Sequence, residues 1–380
     1  MLKKVLYLFA LLFIFCSQPN LLAQNGKYSV IKGERNSYDL KRIGKDHYYH
    51  NRLRIKISAT YERNVNEEMI VNNQVFGIEN LDQITEQIDL KFIKPVFPTG
   101  VLKSEYTERH RAWGFHLWYE LEFSKDQDIL TLVDKYSSLA EVEVVEPVFK
   151  KMLIDYDPSR MIVSSEAEDY IVKTDKWTPN DPRLNEQWHY NNTGQQGGTT
   201  GKDIDLFSAW EIQKGNPEVI VAIIDGGIDY NHEDLQLNMW SGIGFNFITN
   251  SATIEPHNHG THVAGTIAAV NNNGIGVAGI AGGSGGGNGV RLMSCQVFGS
   301  SNTSGGFELA PVWAADHGAV ISQNSWGYTS SGVYDQATLD AIDYFNQNAG
   351  SEAGSTLSGG ITIFAAGNDK SSGQWYPGCY

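Results

Sequence analysis

Apolar positions in the second half of the chain fall into two alternating patterns. Short continuous apolar runs, typical of strands buried on both faces, cover residues 219–227, 290–298, 319–322 and 361–365. Between them lie segments whose apolar residues recur at helical spacing, at residues 204–213, 258–269, 307–317 and 335–348. Strands that alternate with helices predict an α/β fold: a parallel sheet with helices on both faces.

The stretch before this half has a different pattern. Residues 116–123 and 142–149 are strand-like, and residues 128–136 between them have one apolar helical face. This order predicts a small α+β domain over residues 24–155. Residues 156–179 are polar without a sustained apolar period, which predicts a linker that is easily cleaved. The second half, residues 180–380, is then a separate domain.

The first 23 residues have the pattern of a secretory signal. Lys3 and Lys4 precede an apolar run over residues 5–15 that is short for a membrane span, and Ala23 suits the position before a cleavage site. We therefore expect a secreted or cell-surface protein with no membrane span after signal removal. The net charge of −15 argues against nucleic acid and anionic membranes as partners.

Three polar residues lie at the ends of predicted core strands and helices. Asp225 ends the run 219–227 before two glycines, and Asn368 follows the run 361–365. His259 lies in the first turn of a small-residue helix that Asn258 could cap. A buried helix end holds a general base rigidly, although a histidine that only packs in the core fits the same pattern.

Three segments around these residues resemble the subtilisin-like serine proteases (subtilases), in the family's chain order. Residues 224–229 match the segment of the catalytic Asp, residues 259–265 that of the catalytic His, and residues 365–368 that of the oxyanion-hole Asn. The resemblance implies an endopeptidase acting on proteins or peptides. In it Asp225 orients His259 as general base, and Asn368 stabilises the oxyanion.

Further parts of the chain resemble the family's substrate strand and its propeptide. Ser325, Trp326 and Gly327 resemble the strand that pairs with an extended substrate. Residues 24–155 resemble a propeptide by position, and residues 145–147 (Val-Glu-Pro) resemble its ending. The resemblance implies a zymogen whose propeptide is its own chaperone and inhibitor; an unrelated accessory domain is the alternative.

A structural calcium site is also implied by the resemblance. Residues 270–277 resemble the family's calcium loop, for which Asp234 would supply the carboxylate and Gln187 and Asn273 the amide oxygens. We expect no cofactor for catalysis. We expect a monomer.

The family's nucleophile segment, Gly-Thr-Ser-x-Ala, does not occur in these residues. Ser371 and Ser372 lie close after Asn368, but their surroundings do not fit a nucleophile. We therefore expect the N-terminal portion of a longer protease, with the catalytic Ser beyond Tyr380, and no peptide hydrolysis by these 380 residues alone. Two alternatives are a secreted pseudoprotease that binds without catalysis, and an adhesion or scaffold protein whose first domain carries the function.

Overall fold

The computed structural model describes residues 28–155, 175–300, 303–351 and 355–380. The predicted signal sequence and residues 156–174 of the predicted linker lie outside the described residues. We call residues 28–155 the N-terminal unit and residues 175–380 the C-terminal unit.

The elements are numbered in chain order. The strands are β1 (Tyr48–Ile57), β2 (Leu90–Pro95), β3 (Trp118–Phe123), β4 (Val142–Phe149), β5 (Lys151–Leu153), β6 (Ile220–Gly226), β7 (Met239–Asn246), β8 (Arg291–Phe298), β9 (Ile321–Asn324), β10 (Trp326–Tyr328) and β11 (Ile361–Phe364). The α-helices are α1 (Glu67–Asn73), α2 (Glu79–Glu86), α3 (Thr107–Ala112), α4 (Ile129–Ser137), α5 (Leu206–Trp210), α6 (Asn258–Ala268), α7 (Leu309–Asp316) and α8 (Gln336–Asn348). Short 3-10 helices cover Leu40–Arg42, Lys45–His47, Ala59–Asn64, Ser104–Tyr106, Phe115–Leu117, Leu184–Glu186, Gln195–Gly197 and Gln236–Asn238.

The C-terminal unit is built on a parallel sheet with the strand order β11-β9-β6-β8-β7. Along β6, Val221 and Ile223 join the core that contains α6. Ala222 and Ile224 join the core that contains α7 and α8. The sheet is therefore covered on both faces, which confirms the α/β prediction and explains why β6 is almost continuously apolar.

The carboxyl ends of three strands meet at one edge of this sheet. Ile224 of β6 lies beside Asn324 of β9, which in turn lies beside Phe364 of β11. Asp225 follows on β6, and the loop to Asn368 follows β11. Parallel strands thus bring to one edge groups that are more than a hundred residues apart in sequence.

The N-terminal unit holds an antiparallel sheet with the strand order β2-β3-β1-β4. Helix α4 packs against β4, with Leu132 and Tyr136 buried. Strand β3, helix α4 and strand β4 agree with the predicted elements. Strands β1 and β2 were not predicted from the sequence. Within the described residues, no helix has both the length and the apolar character needed to cross a membrane.

The two units join through buried charges as well as apolar contacts. Arg54 of β1 donates to Glu308, with 2.9 Å between Nη2 and Oε1. His110 of α3 lies 2.7 Å from the Asp316 carboxylate at the end of α7, measured from Nε2 to Oδ2. Glu146 of β4 accepts the N–H of Gln336 at the start of α8, at 2.6 Å. Each of these three contacts joins one unit to the other, and together they fix the position of the N-terminal unit on the C-terminal unit.

Glu146 is fully enclosed at this interface and sits near Asp335. Burial, followed by the charge of Asp335, raises the pKa of Glu146 to about 8, although Arg54 and the backbone N–H donors of Gln336 and Ala337 oppose the shift. This carboxyl therefore couples the contact between the units to pH.

Candidate active site

Glycines allow strand β6 and helix α6 to meet closely. A Cβ added to Gly260 would lie 2.1 Å from the Gly226 carbonyl oxygen, and one added to Gly227 would lie 2.1 Å from the Glu255 carbonyl oxygen. Only glycine fits at such separations, because ordinary carbon–oxygen contacts are far longer. The close approach brings His259 on α6 to Asp225 at the end of β6, with 2.7 Å between Nδ1 and Oδ1.

The start of α6 differs from the sequence expectation at one residue. Asn258 is the first helical residue, and His257 is the N-cap, whose Nδ1 accepts the N–H of His259 at 3.2 Å. The prediction that Asn258 caps the helix is wrong because the helix begins one residue earlier than expected. The cap also fixes the backbone at His259.

The Asp225 carboxylate is fully buried and directed at the imidazole. Its Oδ1 also accepts the N–H of Gly226 at 2.6 Å, while no hydrogen-bond partner of Oδ2 is found among the described residues. Burial alone would lower the pKa of His259, but the hydrogen bond and charge of Asp225 outweigh it, and the pKa is raised. The carboxylate thus fixes the ring through Nδ1 and leaves Nε2 for a reacting partner.

A peptide segment of this chain lies in the cleft beside these residues. After β4 the chain passes through Lys150 into β5, which pairs antiparallel with β10 in the register Trp326 with Leu153 and Gly327 with Met152. The N–H of Ile154 donates to the Ser325 carbonyl at 2.7 Å. The residues predicted to pair with a substrate, 325–327, therefore hold residues 151–154 of the same chain. We call residues 151–155 the tail.

The tail carries two consecutive carbonyls to the predicted polar groups. His259 Nε2 lies 3.3 Å from the Ile154 carbonyl oxygen, and the Asn368 Nδ2 amide donates to the Asp155 carbonyl oxygen at 2.7 Å. The structure thus brings Asp225, His259, Asn368 and the strand 325–327 together around one extended peptide. That the chain itself supplies this peptide was not predicted from the sequence.

No serine of the described residues hydrogen-bonds to His259 Nε2. The Ser371 hydroxyl oxygen accepts instead from Trp375 Nε1 at 2.8 Å. This agrees with leaving Ser371 unassigned as a nucleophile. The position beside Nε2 faces the Ile154 carbonyl.

The cleft widens into a cavity of about 280 Å³ next to the tail. Its lining includes residues 152–155 of the tail itself, residues 326–328, residues 365–369, Trp375 and Tyr376. Tyr328 was not singled out in the sequence, since it lies outside the recognised motifs. A cavity of this size, lined by apolar rings and open backbone, can take a large side chain of a bound peptide.

The residues expected at a calcium site meet at the loop of residues 270–278, but they are only partly assembled. Asp234 Oδ1 accepts from Asn273 Nδ2 at 2.8 Å, and its Oδ2 accepts the N–H of Val277 at 2.9 Å. Gln187 instead pairs with the backbone of Ala278, its Oε1 accepting the N–H and its Nε2 donating to the carbonyl. Asp234 and Asn273 are therefore in direct contact, while Gln187 stands one residue further along the loop.

A second carboxylate at this loop was not predicted. Asp181 is buried, and its oxygens accept the N–H groups of Asn272 at 2.9 Å and of Asn273 at 3.3 Å. Burial raises the pKa of both Asp181 and Asp234. Among the described residues neither carboxylate has a Lys or Arg ion-pair partner, so two buried acids share a loop rich in amide and carbonyl oxygens. That donor set fits a hard cation such as calcium.

Comparison with known proteins identifies the sequence around this site. Residues 216–379 match the Subtilase family. Neuroendocrine convertase 2 of Bos taurus is 32% identical over 208 residues, which are 50% of this chain and 30% of that protein. The thermophilic serine proteinase of Bacillus sp. (strain AK1) is 32% identical over 217 residues, which are 56% of this chain and 46% of that protein. The chain thus spans less than half the length of these relatives.

A solved structure extends the likeness in fold to both units. Fervidolysin from Fervidobacterium pennivorans, a keratinolytic enzyme related to subtilisin, superposes with a TM-score of 0.53 at 20% identity, over 88% of this chain and 42% of its own. At that identity the likeness concerns the fold alone. The family match thus identifies a subtilase domain in residues 216–379, and the solved structure shows that the fold is subtilisin-like.

Proposed function

We propose that this chain belongs to a secreted serine-type endopeptidase that is made as an inactive precursor. One observation carries the proposal. An extended peptide lies along strand β10 with consecutive carbonyls at His259 Nε2 and Asn368 Nδ2, while Asp225 holds the other side of the imidazole. Hydrolysis of a peptide bond needs a base, an orienting carboxylate and an oxyanion donor in this relation to the carbonyl.

In the proposed reaction His259 acts through Nε2. Nε2 removes the proton from a serine hydroxyl as its oxygen attacks the peptide carbonyl carbon, and the imidazolium then protonates the departing amine. Asp225 keeps the Nδ1 proton in place and stabilises the imidazolium. The Asn368 amide donates to the carbonyl oxygen as it becomes negative. Water then releases the acyl group by the same steps.

The N-terminal unit is proposed to be the propeptide, over residues 24–155. Its tail occupies the substrate strand, which excludes other peptides from the cleft. The tail also places the Ile154 carbonyl oxygen 3.3 Å from His259 Nε2, so a free peptide cannot reach this nitrogen while the tail is bound.

The tail also indicates where maturation occurs. The two carbonyls nearest the catalytic groups belong to Ile154 and Asp155, so we propose cleavage on one side or the other of Asp155. This lies at the start of the region that the sequence marked as easily cleaved. Mass spectrometry of the released N-terminal unit tests it: a C-terminus at residue 154 or 155 is expected, and one beyond residue 160 contradicts it.

Calcium is proposed as a structural ion at the loop of Asp234. Asp234 and Asn273 would hold it, with Asp181 as the second carboxylate nearby. The ion would neutralise buried negative charge and stiffen the loop. Gln187 is bound to Ala278 and would have to turn to take part.

An active-site serine probe tests the proposed activity. A fluorophosphonate is incubated with the gene product that contains this chain, purified from the culture medium, and with its Asp225→Asn, His259→Ala and His262→Ala variants. His262 belongs to the same helix, but its side chain is exposed, so its variant is the matched control. Labelling is expected in the wild type and in His262→Ala, and should be lost in His259→Ala. Absence of labelling in a folded, matured wild type contradicts the proposal and leaves a binding protein with the same fold.

A further inference from the structure

Helix α8 presents a polar stripe along one face. The stripe consists of Gln336, Asp340, Asp343 and Gln347, at the spacing i, i+4, i+7 and i+11. The other faces of α8 are apolar and buried in the core. The helix contains two carboxylates whose side chains are only 1% and 9% exposed, for Asp340 and Asp343 respectively.

An extended segment from the beginning of the N-terminal unit covers this stripe. We call residues 31–36 the strap. Lys32 Nζ lies 2.9 Å from Asp340 Oδ2, and Arg35 Nη2 lies 2.7 Å from Asp340 Oδ1 and 3.0 Å from Asp343 Oδ2. At the far end the Ile31 N–H donates to Gln347 Oε1 at 3.0 Å.

The C-terminal unit contacts the backbone of the strap as well as its charged side chains, and the space at Gly33 admits no side chain. The Gly33 N–H donates to Asp343 Oδ2 at 3.1 Å, and the Tyr334 hydroxyl donates to the Asn36 carbonyl at 2.7 Å. A Cβ at Gly33 would lie 2.5 Å from the Tyr380 hydroxyl oxygen, which itself donates to Asp343. The face therefore accepts an extended segment with a cation, then a glycine, and a second cation two residues after the glycine.

None of these contacts involves the catalytic pair or the tail. The strap precedes β1 and is held by α8 and its neighbours, whereas the tail follows β4 and is held by β10. The strap and the tail thus bind the C-terminal unit at two separate places. When the strap leaves, Asp340 and Asp343 lose the cations that balance them, and two neighbouring carboxylates on one helix face attract a new cationic partner.

We propose that this face of α8 is a second peptide-recognition site, specific for an extended segment of the pattern Lys-Gly-x-Arg. The strap fills it in the precursor. Resting on the proposed function, the site opens once the N-terminal unit is removed, and it then binds protein substrates that carry such a basic segment outside the scissile region. It is a site for a cationic peptide and does not take part in bond cleavage.

A peptide-binding experiment tests the site on the full chain. The probe is a fluorescein-labelled peptide with the sequence of residues 28–38, and the receptor is the K32A/R35A double variant, in which the strap has lost its cations. The control receptor is the K41A/R42A double variant, because the Arg42 side chain is 87% exposed and pairs only locally with Asp39. Fluorescence anisotropy measures binding at low and at high salt.

Saturable binding is expected to K32A/R35A. In the wild type and in K41A/R42A the strap competes with the probe, so these two receptors should bind the probe at least about tenfold more weakly. Replacing both cations of the probe by Ala, or its glycine by Ala, should each weaken binding about tenfold, and about 0.5 M salt should weaken it further. Equal binding of the altered probes, or equal binding to all three receptors, would overturn the proposal.

Hydrogen exchange on the wild type tests the same site without relying on the folding of a variant. Excess unlabelled probe should speed exchange of the strap amides, residues 31–36, without changing exchange in β5. Unchanged exchange at saturating probe would also overturn the proposal. Neither measurement needs peptidase activity, so failure of the serine probe to label the protein and failure of this site are separate results.

Discussion

The substitution Gly260→Ala probes the contact on which the Asp225–His259 pair depends. The new Cβ would lie 2.1 Å from the Gly226 carbonyl oxygen, whereas ordinary contacts begin near 3.4 Å, so helix and strand must separate by about 1.3 Å. Overpacking of this kind costs about 1–3 kcal/mol. A shift of that size also breaks the 2.7 Å contact of His259 Nδ1 with Asp225 Oδ1, and a hydrogen bond to a charged group contributes about 1.5–3 kcal/mol. Alanine returns up to about 1 kcal/mol in helix propensity.

The net expectation is that Gly260→Ala lowers the free energy of unfolding by about 2–5 kcal/mol and lowers the pKa of His259. Gly265→Ala is the matched control, since Gly265 lies on the same helix and an added Cβ there meets nothing within 4 Å. It should raise stability by about 0.5–1 kcal/mol. Urea denaturation gives the free energies, and a histidine NMR titration gives the pKa. If Gly260→Ala is as stable as Gly265→Ala and the pKa of His259 is unchanged, the packing argument is refuted.

Three further predictions concern charge. In Asp225→Asn, burial prevails and the pKa of His259 falls. A raised histidine pKa stabilises the fold at low pH, and this stabilisation is lost as the pH rises through the folded-state pKa. The variant should therefore lose more stability at pH 5 than at pH 9, and equal losses at the two pH values would contradict this. The pKa of Glu146 is raised from 4.5 to about 8, so the stability of the wild type should decline as the pH rises through this range. The stability of Glu146→Gln, measured by urea denaturation midpoints, should decline less over the same range. Parallel curves of midpoint against pH would count against the burial argument. Millimolar calcium should raise the melting temperature of the wild type but not that of Asp234→Asn, and a rise in both would place the ion elsewhere.

The sequence predicted four of the five strands of the central sheet, because their signals are local; the edge strand β7 was not predicted. A strand buried on both faces is apolar at nearly every position, and β6 and β8 show this directly. Strand β1 was missed because Arg54 and Lys56 interrupt its apolar positions. Both side chains are nevertheless buried, since acids from other elements pair with them: Glu120 and Glu308 with Arg54, and Glu143 with Lys56. Such partners cannot be read from the strand itself.

The residues of the candidate site also fall into those that the sequence predicted and those that it did not. Asp225 and His259 are each marked by their own neighbours, a buried strand end and a small-residue helix, so the sequence could place them. The tail was not predicted because its contacts join Leu153 to Trp326 and Asp155 to Asn368, across 173 and 213 residues. Only the folded interface of the two units, with its buried charges, determines that this short segment enters the cleft.

The short connection between β4 and β5 has a consequence for any ligand search. One residue, Lys150, separates the sheet of the N-terminal unit from the tail, and Lys151 is itself tied to Asp335. A tethered segment competes at an effective concentration on the order of millimolar. A free peptide must therefore displace a competitor that never dilutes. For a tail with an intrinsic Kd on the order of micromolar, any ligand of the cleft would bind the intact chain about a thousandfold more weakly than the open cleft. Screens on the intact chain will report the strength of the tether, and affinities for the cleft itself can be measured only after the tail has been cut and removed.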